Sequence, residues 1–92
     1  MTNELTAIFP SHNPTSVKIF DYIRYNPGCK FKDIVSNFGD GHKTNAQLRG
    51  YLVILLREDM VFASHVGREP AEYFLTMKAE NALEENDIEY AA

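Results

Sequence analysis

The chain of 92 residues is 45% hydrophobic and 12% aromatic, which fits one small domain with a modest core and excludes a disordered chain. The formal net charge of −4 is uneven: residues 1–78 carry nine Lys or Arg and eight Asp or Glu, whereas residues 79–92 carry five acids and no base. The body of the chain is therefore close to neutral, at +1, which is only weak support for a surface that binds nucleic acid.

The first predicted helix follows an ambiguous N-terminal arm, residues 1–12, which Pro10 prevents from forming a long helix. Asn13 is a suitable N-cap, and proline is favoured at the first helical position, so we predict a helix from about Pro14 to Tyr25. Its apolar side chains are expected in two groups, with Val17, Phe20 and Ile23 facing the core and Ile19 and Tyr22 on a flank.

A second, shorter helix is predicted after an Asn-Pro-Gly sequence, which ends the first helix because proline and glycine do not continue it. Cys29 to Phe31 is an extended link or a small first strand. The helix should run from about Phe31 to Asn37, followed by a Gly-Asp-Gly turn at 39–41 whose glycines permit a positive φ. Its apolar side consists of Phe31, Ile34, Val35 and Phe38.

The third helix has the clearest signals in the chain. Thr44 precedes Gln47 by three residues, which is the spacing of a capping box, just ahead of an apolar run. Leucines then recur at i, i+4, i+7 and i+8, a stripe typical of a helix with 3.6 residues per turn. The pattern predicts a helix over about 44–58 whose inward residues are Leu48, Leu52, Leu55 and Leu56.

The C-terminal part should form a β-hairpin and a last helix. Residues 61–66 and 72–75 are expected to pair around the loop 67–71. Thr76 is a candidate N-cap for a helix that ends after about Glu85. The predicted fold class is therefore α+β, with a three-helix core, a hairpin and a short C-terminal helix.

This order and spacing resemble the winged helix-turn-helix superfamily, of the kind found in small MarR- or PadR-like prokaryotic, archaeal or phage regulators. The resemblance spans residues 13–83, which leaves 1–12 as an arm and 84–92 as an acidic tail. It is carried by four short motifs, namely Asp33-Ile34-Val35, the leucines at 48, 52 and 55, Met60-Val61 and Tyr73-Phe74-Leu75-Thr76.

The resemblance implies a DNA-binding transcription regulator that acts as a homodimer on a two-fold operator. Its third helix would enter the major groove of double-stranded DNA, and the hairpin, or wing, would contact the backbone or minor groove. Asn and Gln can pair with adenine, Arg with guanine, and Ala can touch a thymine methyl group. The same side chains could instead be the solvated start of an amphipathic helix. The residues expected at DNA are Lys43, Thr44, Asn45, Ala46, Gln47, Arg49 and Arg68.

Two features depart from the family pattern. Asp59 stands where such domains usually have a glycine before the wing strand, so we expect that turn to differ. Val53 and Ile54 occupy positions that are normally polar, and with Gly50 they form an apolar patch opposite Leu48. This patch could be covered by a second subunit, by a foreign partner, or by the arm residues Leu5, Ile8 and Phe9. The alternative function is an adaptor that binds a protein partner through it without binding DNA.

The remaining signals favour a cytoplasmic protein with no cofactor, no metal and no membrane partner. The N-terminus has an acid where a signal peptide is basic, and no apolar run approaches the roughly 20 residues of a spanning helix. Cys29 is the only cysteine, and we expect it to be a small buried or half-buried residue and Tyr51 to be partly buried. The three histidines lie far apart in the sequence, and His65 is expected to be structural, within a strand. The chain contains no Gly-rich phosphate loop and no nucleophile–base set, so we predict no enzymatic activity.

Overall fold

A computed structural model describes residues 14–38 and 44–85. These residues form four α-helices and a three-stranded antiparallel sheet with strand order β1-β3-β2. The small α+β fold predicted from the sequence is thus confirmed. The predicted arm, the Asn13 cap and the turn at 39–41 lie outside the described residues. The elements are α1 (Pro14–Tyr25), β1 (Cys29–Lys30), α2 (Phe31–Phe38), α3 (Asn45–Arg57), β2 (Val61–Ser64), β3 (Glu72–Leu75) and α4 (Met77–Glu85).

Helix α1 has the predicted bounds but buries a wider stripe than predicted. Phe20 and Ile23 are fully buried, as expected, but so is Ile19, and its assignment to a flank is wrong. The reason is that α1 packs against both α3 and β3, so two adjoining faces of the helix are covered. Tyr22 does lie at the margin of the core, edge-to-face with Phe38 at a centroid distance of 5.8 Å.

The strand β1 connects α1 to α2 and tethers both to the sheet. Gly28 has a φ of +87° and donates its N–H to the carbonyl of Tyr73 over 2.9 Å, and the strand then pairs with β3. At the start of α2, the backbone N–H of Lys30 donates to the carboxylate of Asp33 over 2.9 Å. This contact stabilises the first turn of a helix that has only eight residues.

Helix α3 begins with the predicted capping box. The backbone N–H of Gln47 donates to the Thr44 hydroxyl over 3.1 Å, and the backbone N–H of Thr44 donates to the Gln47 side-chain oxygen over 2.9 Å. The inward leucines predicted at 48, 52 and 55 are all buried, whereas Leu56 is only half-buried. After the helix, Asp59 has a φ of +60°, the left-handed region that glycine adopts most readily.

The hairpin and α4 complete the core. Strand β2 ends at Ser64, so the predicted strand was two residues too long, and His65 lies exposed in the loop rather than within a strand. The loop at 65–71 contains Gly67 with a φ of +58° and a proline, neither of which continues a ladder. Thr76 caps α4 as predicted, since its hydroxyl accepts from Ala79 N–H over 3.1 Å. The same hydroxyl donates to the Asp59 carbonyl over 2.6 Å, which ties α4 to the end of α3.

Helix α4 ends at Glu85, as predicted, so Glu84 and Glu85 of the segment 84–92 belong to the helix. Residues 86–92 lie outside the described part of the chain. Within the described ranges, no helix has both the length and the apolar character needed to cross a membrane. Tyr51 packs partly buried against the core, as predicted.

Candidate nucleic-acid interface

The first two turns of α3 are largely exposed. Of residues 44–50, only Leu48 is buried, while the second half of the helix carries the buried Leu52 and Leu55. Helix α3 packs against α1, α2 and β2 with that inward stripe. Five of the predicted DNA contacts are exposed at its start, namely Thr44, Asn45, Ala46, Gln47 and Arg49. Gly50 is exposed beside them.

Two of those side chains are already engaged in capping the helix. The Thr44 hydroxyl accepts one backbone N–H, and the Gln47 side-chain oxygen accepts another. A bidentate contact to adenine uses both the oxygen and the amide nitrogen of Gln, so the capping bond competes with it. This engagement makes Gln47 a poorer base reader than its position in the sequence suggested. Asn45 and Arg49 are the remaining polar candidates on these turns.

Arg49 is held against the neighbouring helix. Its guanidinium carbon lies 4.1 Å from the ring centroid of Phe31, within the range of a cation–π contact. Phe31 is the first residue of α2 and is half-buried against the core, while Arg49 is exposed. The ring therefore restrains an exposed cation at the boundary between α2 and α3.

Sequence reasoning assigned Phe31 only to the apolar side of α2 and missed its contact with Arg49. The two residues are 18 positions apart, on different helices. No spacing rule predicts such a pair, because it depends on the angle at which α2 and α3 cross.

The other two predicted DNA contacts, Arg68 and Lys43, lie outside α3. Arg68 lies exposed in the loop after β2, beside Glu69, whose backbone N–H donates to the Val66 carbonyl over 3.0 Å. The neighbouring acid reduces the positive field at this position. Lys43 lies outside the described residues. Lys32, which follows Phe31 in α2, is also exposed.

The apolar patch on α3 is smaller than the sequence indicated. Val53 is 37% exposed, but Ile54 is half-buried, so the patch consists mainly of Gly50 and Val53. A Cβ added at Gly50 would meet no other heavy atom within 4 Å among the described residues. Arg57, at the end of the same face, is exposed.

A second apolar surface lies on the outer face of the sheet, and the sequence reasoning did not single it out. Phe62 and Phe74 pair across β2 and β3 with stacked rings whose centroids are 5.5 Å apart. Phe62 remains 46% exposed. The pair forms one wall of a groove of about 190 Å³ that Arg24 and Glu80 also line. Only the alternation of residues in two paired strands could have indicated this surface.

The one cysteine of the sequence is a packing residue rather than an exposed nucleophile. Cys29 is buried, and burial, with a smaller contribution from the Asp33 carboxylate, raises the pKa of its thiol to about 11. The thiol is therefore protonated near neutral pH and unreactive, which confirms its predicted role in packing. Across residues 14–38 and 44–85, no three His, Cys, Asp or Glu side chains form a group that could hold a metal ion.

The arrangement offers an exposed helix start, one restrained arginine and a separate basic loop residue. Such groups present positive charge and hydrogen-bond donors at the surface. Comparison of the chain with protein-family models, with curated proteins and with solved structures finds no match.

Proposed function

We propose that the chain is a winged helix-turn-helix domain that binds double-stranded DNA and acts as a transcription regulator. The order α1-β1-α2-α3-β2-β3, with β3 between the other two strands, supports this assignment. In it, α2 and α3 are the helix-turn-helix pair, and the loop at 65–71 is the wing. The fold alone does not determine a ligand, so the function has to be argued from the exposed surface of α3.

The observation that carries the proposal is the exposure of the first two turns of α3. The major groove is about 12 Å wide and admits an α-helix. Recognition helices contact base edges mainly with their N-terminal residues. Asn45, Ala46 and Arg49 are exposed on these turns, and Leu48 fixes their orientation because it is buried in the core.

The charge distribution supports a binding mode with few phosphate contacts. Residues 1–78 carry a net charge of +1, and the described part of α2 and α3 exposes the cations Lys32, Arg49 and Arg57. Each phosphate neutralised by Lys or Arg adds about −0.9 to the slope of log affinity against log salt concentration. We therefore expect a shallow slope, of about −2 to −4, and a correspondingly large share of the affinity from base contacts.

The test is selection from a randomised duplex pool, followed by fluorescence-anisotropy titrations of the selected duplex at two salt concentrations. Arg49→Ala should weaken binding to the selected duplex by about 1–3 kcal/mol and binding to random DNA by much less. Arg57→Ala is the matched control, because Arg57 is an exposed arginine at the far end of the same helix. Failure to enrich any duplex, or equal effects of the two substitutions, would count against the proposal.

The second candidate is a winged-helix adaptor that binds protein through Gly50, Val53 and Ile54. The observation that favours it is the open space around Gly50. Glycine in an exposed helix costs about 1 kcal/mol relative to alanine, and no described neighbour requires its small size. Close approach of a partner would explain it. On this hypothesis Val53→Asp abolishes partner binding in a folded domain, while Arg49→Ala has no effect. On the DNA-binding hypothesis Arg49→Ala instead causes the main loss of affinity, and the ligand is DNA.

A further inference from the structure

The geometry points to Phe31 as the positioning residue that orients Arg49 toward a guanine of the bound duplex. This inference rests on the proposed DNA-binding function and deepens it. Its structural basis is the 4.1 Å separation between the Arg49 guanidinium carbon and the Phe31 ring centroid, across the junction of α2 and α3. One partner is exposed and the other is anchored against the core, so the contact links a surface cation to a fixed support.

A ring contact restrains Arg49 without using its hydrogen-bond donors. An arginine that is free in solution loses much rotamer entropy when it is immobilised at an interface. A carboxylate could restrain the side chain, but it would occupy the N–H groups that must reach the DNA. The face of Phe31 attracts the cation through its quadrupole and accepts no conventional hydrogen bond, so the donor fork of Arg49 is available.

The donor fork selects guanine among the four bases. Guanine presents two acceptors, O6 and N7, to the major groove, and Arg can donate to both. Adenine presents one acceptor beside a donor amino group, which would face an N–H of the arginine. Gln47, one of the two side chains that could read adenine on the same turns, is engaged in the capping box, which leaves Asn45 and Arg49 as the polar candidates. Of these two side chains, only Arg49 can donate to both acceptors of guanine.

The role of Phe31 is separable from ordinary packing because α2 contains a comparable aromatic residue. Phe38, at the other end of the same helix, is also half-buried and contacts the ring of Tyr22 rather than an arginine. Phe31→Leu and Phe38→Leu each exchange a partly buried phenyl ring for an aliphatic side chain. Only Phe31→Leu also removes the ring face beneath Arg49, whereas Phe31→Tyr retains it.

The experiment measures the affinity of the wild type and the three variants for the selected duplex. It then repeats the measurement on a duplex in which the specified guanine is replaced by 7-deazaguanine, which lacks the N7 acceptor. We expect Phe31→Leu to weaken binding about two- to five-fold on the guanine duplex and to have little effect on the substituted one. Phe31→Tyr should bind like the wild type, and Phe38→Leu should affect both duplexes equally. Thermal melts establish that each variant is folded at the assay temperature.

The outcomes separate this inference from the proposed function. If the wild type binds no duplex, both are overturned. If the wild type binds specifically but Phe31→Leu changes nothing, or weakens both duplexes equally, Phe31 is a packing residue and only the inference is overturned.

A measurement on the unmodified protein covers the case in which Phe31→Leu does not fold. NMR relaxation of the side-chain Nε groups should give a higher order parameter for Arg49 than for the exposed Arg57, even without DNA. Equal mobility of the two arginines in the free protein would overturn the inference.

Discussion

Replacing Leu52 by alanine should cost this domain a large part of its stability. Leu52 lies on the inward face of α3 and is 1% exposed, so its side chain is enclosed by the core. Removal of an enclosed leucine side chain costs about 2–5 kcal/mol, since the lost burial is accompanied by a cavity. A domain of this size has a total free energy of unfolding of only about 5–14 kcal/mol.

Leu56→Ala provides the matched control for this prediction. Leu56 is on the same helix, four residues later, but it is only half-buried at the margin of the core. The same change in chemistry should therefore leave no closed cavity, and the loss should be well below that at Leu52, about 1 kcal/mol.

The assay is urea unfolding followed by circular dichroism, with thermal melts as a second measure. For a domain of this size, 1 kcal/mol corresponds to a shift in Tm of about 4–8 °C. Leu52→Ala should thus lower Tm by roughly 10 °C or more. Equal losses in the two variants, or a Leu52→Ala variant that melts like the wild type, would show that the inward face of α3 has been placed wrongly.

Three further predictions concern the helix cap, the thiol and the C-terminal acids. Thr44→Ala should lower the free energy of unfolding by about 0.5–2 kcal/mol because it removes the cap hydroxyl, and Asn45→Ala should have a smaller effect in the same urea titration. Because its pKa is raised to about 11 from the ordinary 9.0, Cys29 should alkylate far more slowly in the folded protein than in urea near pH 8. Its reaction rate should rise as the pH approaches 11, and a native rate equal to the unfolded rate would contradict its burial. Truncation after Glu85 leaves α4 intact and removes residues 86–92, whose two acids would compete with DNA phosphates for the basic side chains. The truncated protein should bind DNA more tightly at low salt but not at high salt, where screening is strong. An unchanged affinity at both salt concentrations would exclude competition by this segment.

The parts of the fold that were predictable from the sequence are those set by local signals. Proline at the first turn fixes the start of α1, and the Thr44–Gln47 spacing fixes the start of α3. Leucines at a helical spacing identify the buried face of α3 because residues three or four positions apart lie on the same side of one helix. Each of these signals is contained in a short window of sequence.

The features that were predicted wrongly or missed depend on how elements meet. Ile19 is buried because a second element, β3, covers what would otherwise be a flank of α1. The predicted second strand includes Val66, but the ladder ends at Ser64, where the hairpin loop begins. The Phe31–Arg49 contact requires the crossing of two helices to be known.

The start of α3 has two roles that compete for the same atoms. A helix needs groups that satisfy its first backbone N–H donors, and here the Thr44 and Gln47 side chains supply the reciprocal bonds of the box. Those side chains also stand on the turns that a recognition helix would present to DNA. Their capping bonds keep the helix start ordered before any ligand arrives, so less conformational entropy is lost on binding. The same bonds reduce the capacity of Gln47 for base readout. When the cap uses these side chains, discrimination between bases depends on side chains outside the capping box. Arg49 is such a side chain, because it contacts the ring of Phe31 and keeps its hydrogen-bond donors for a base.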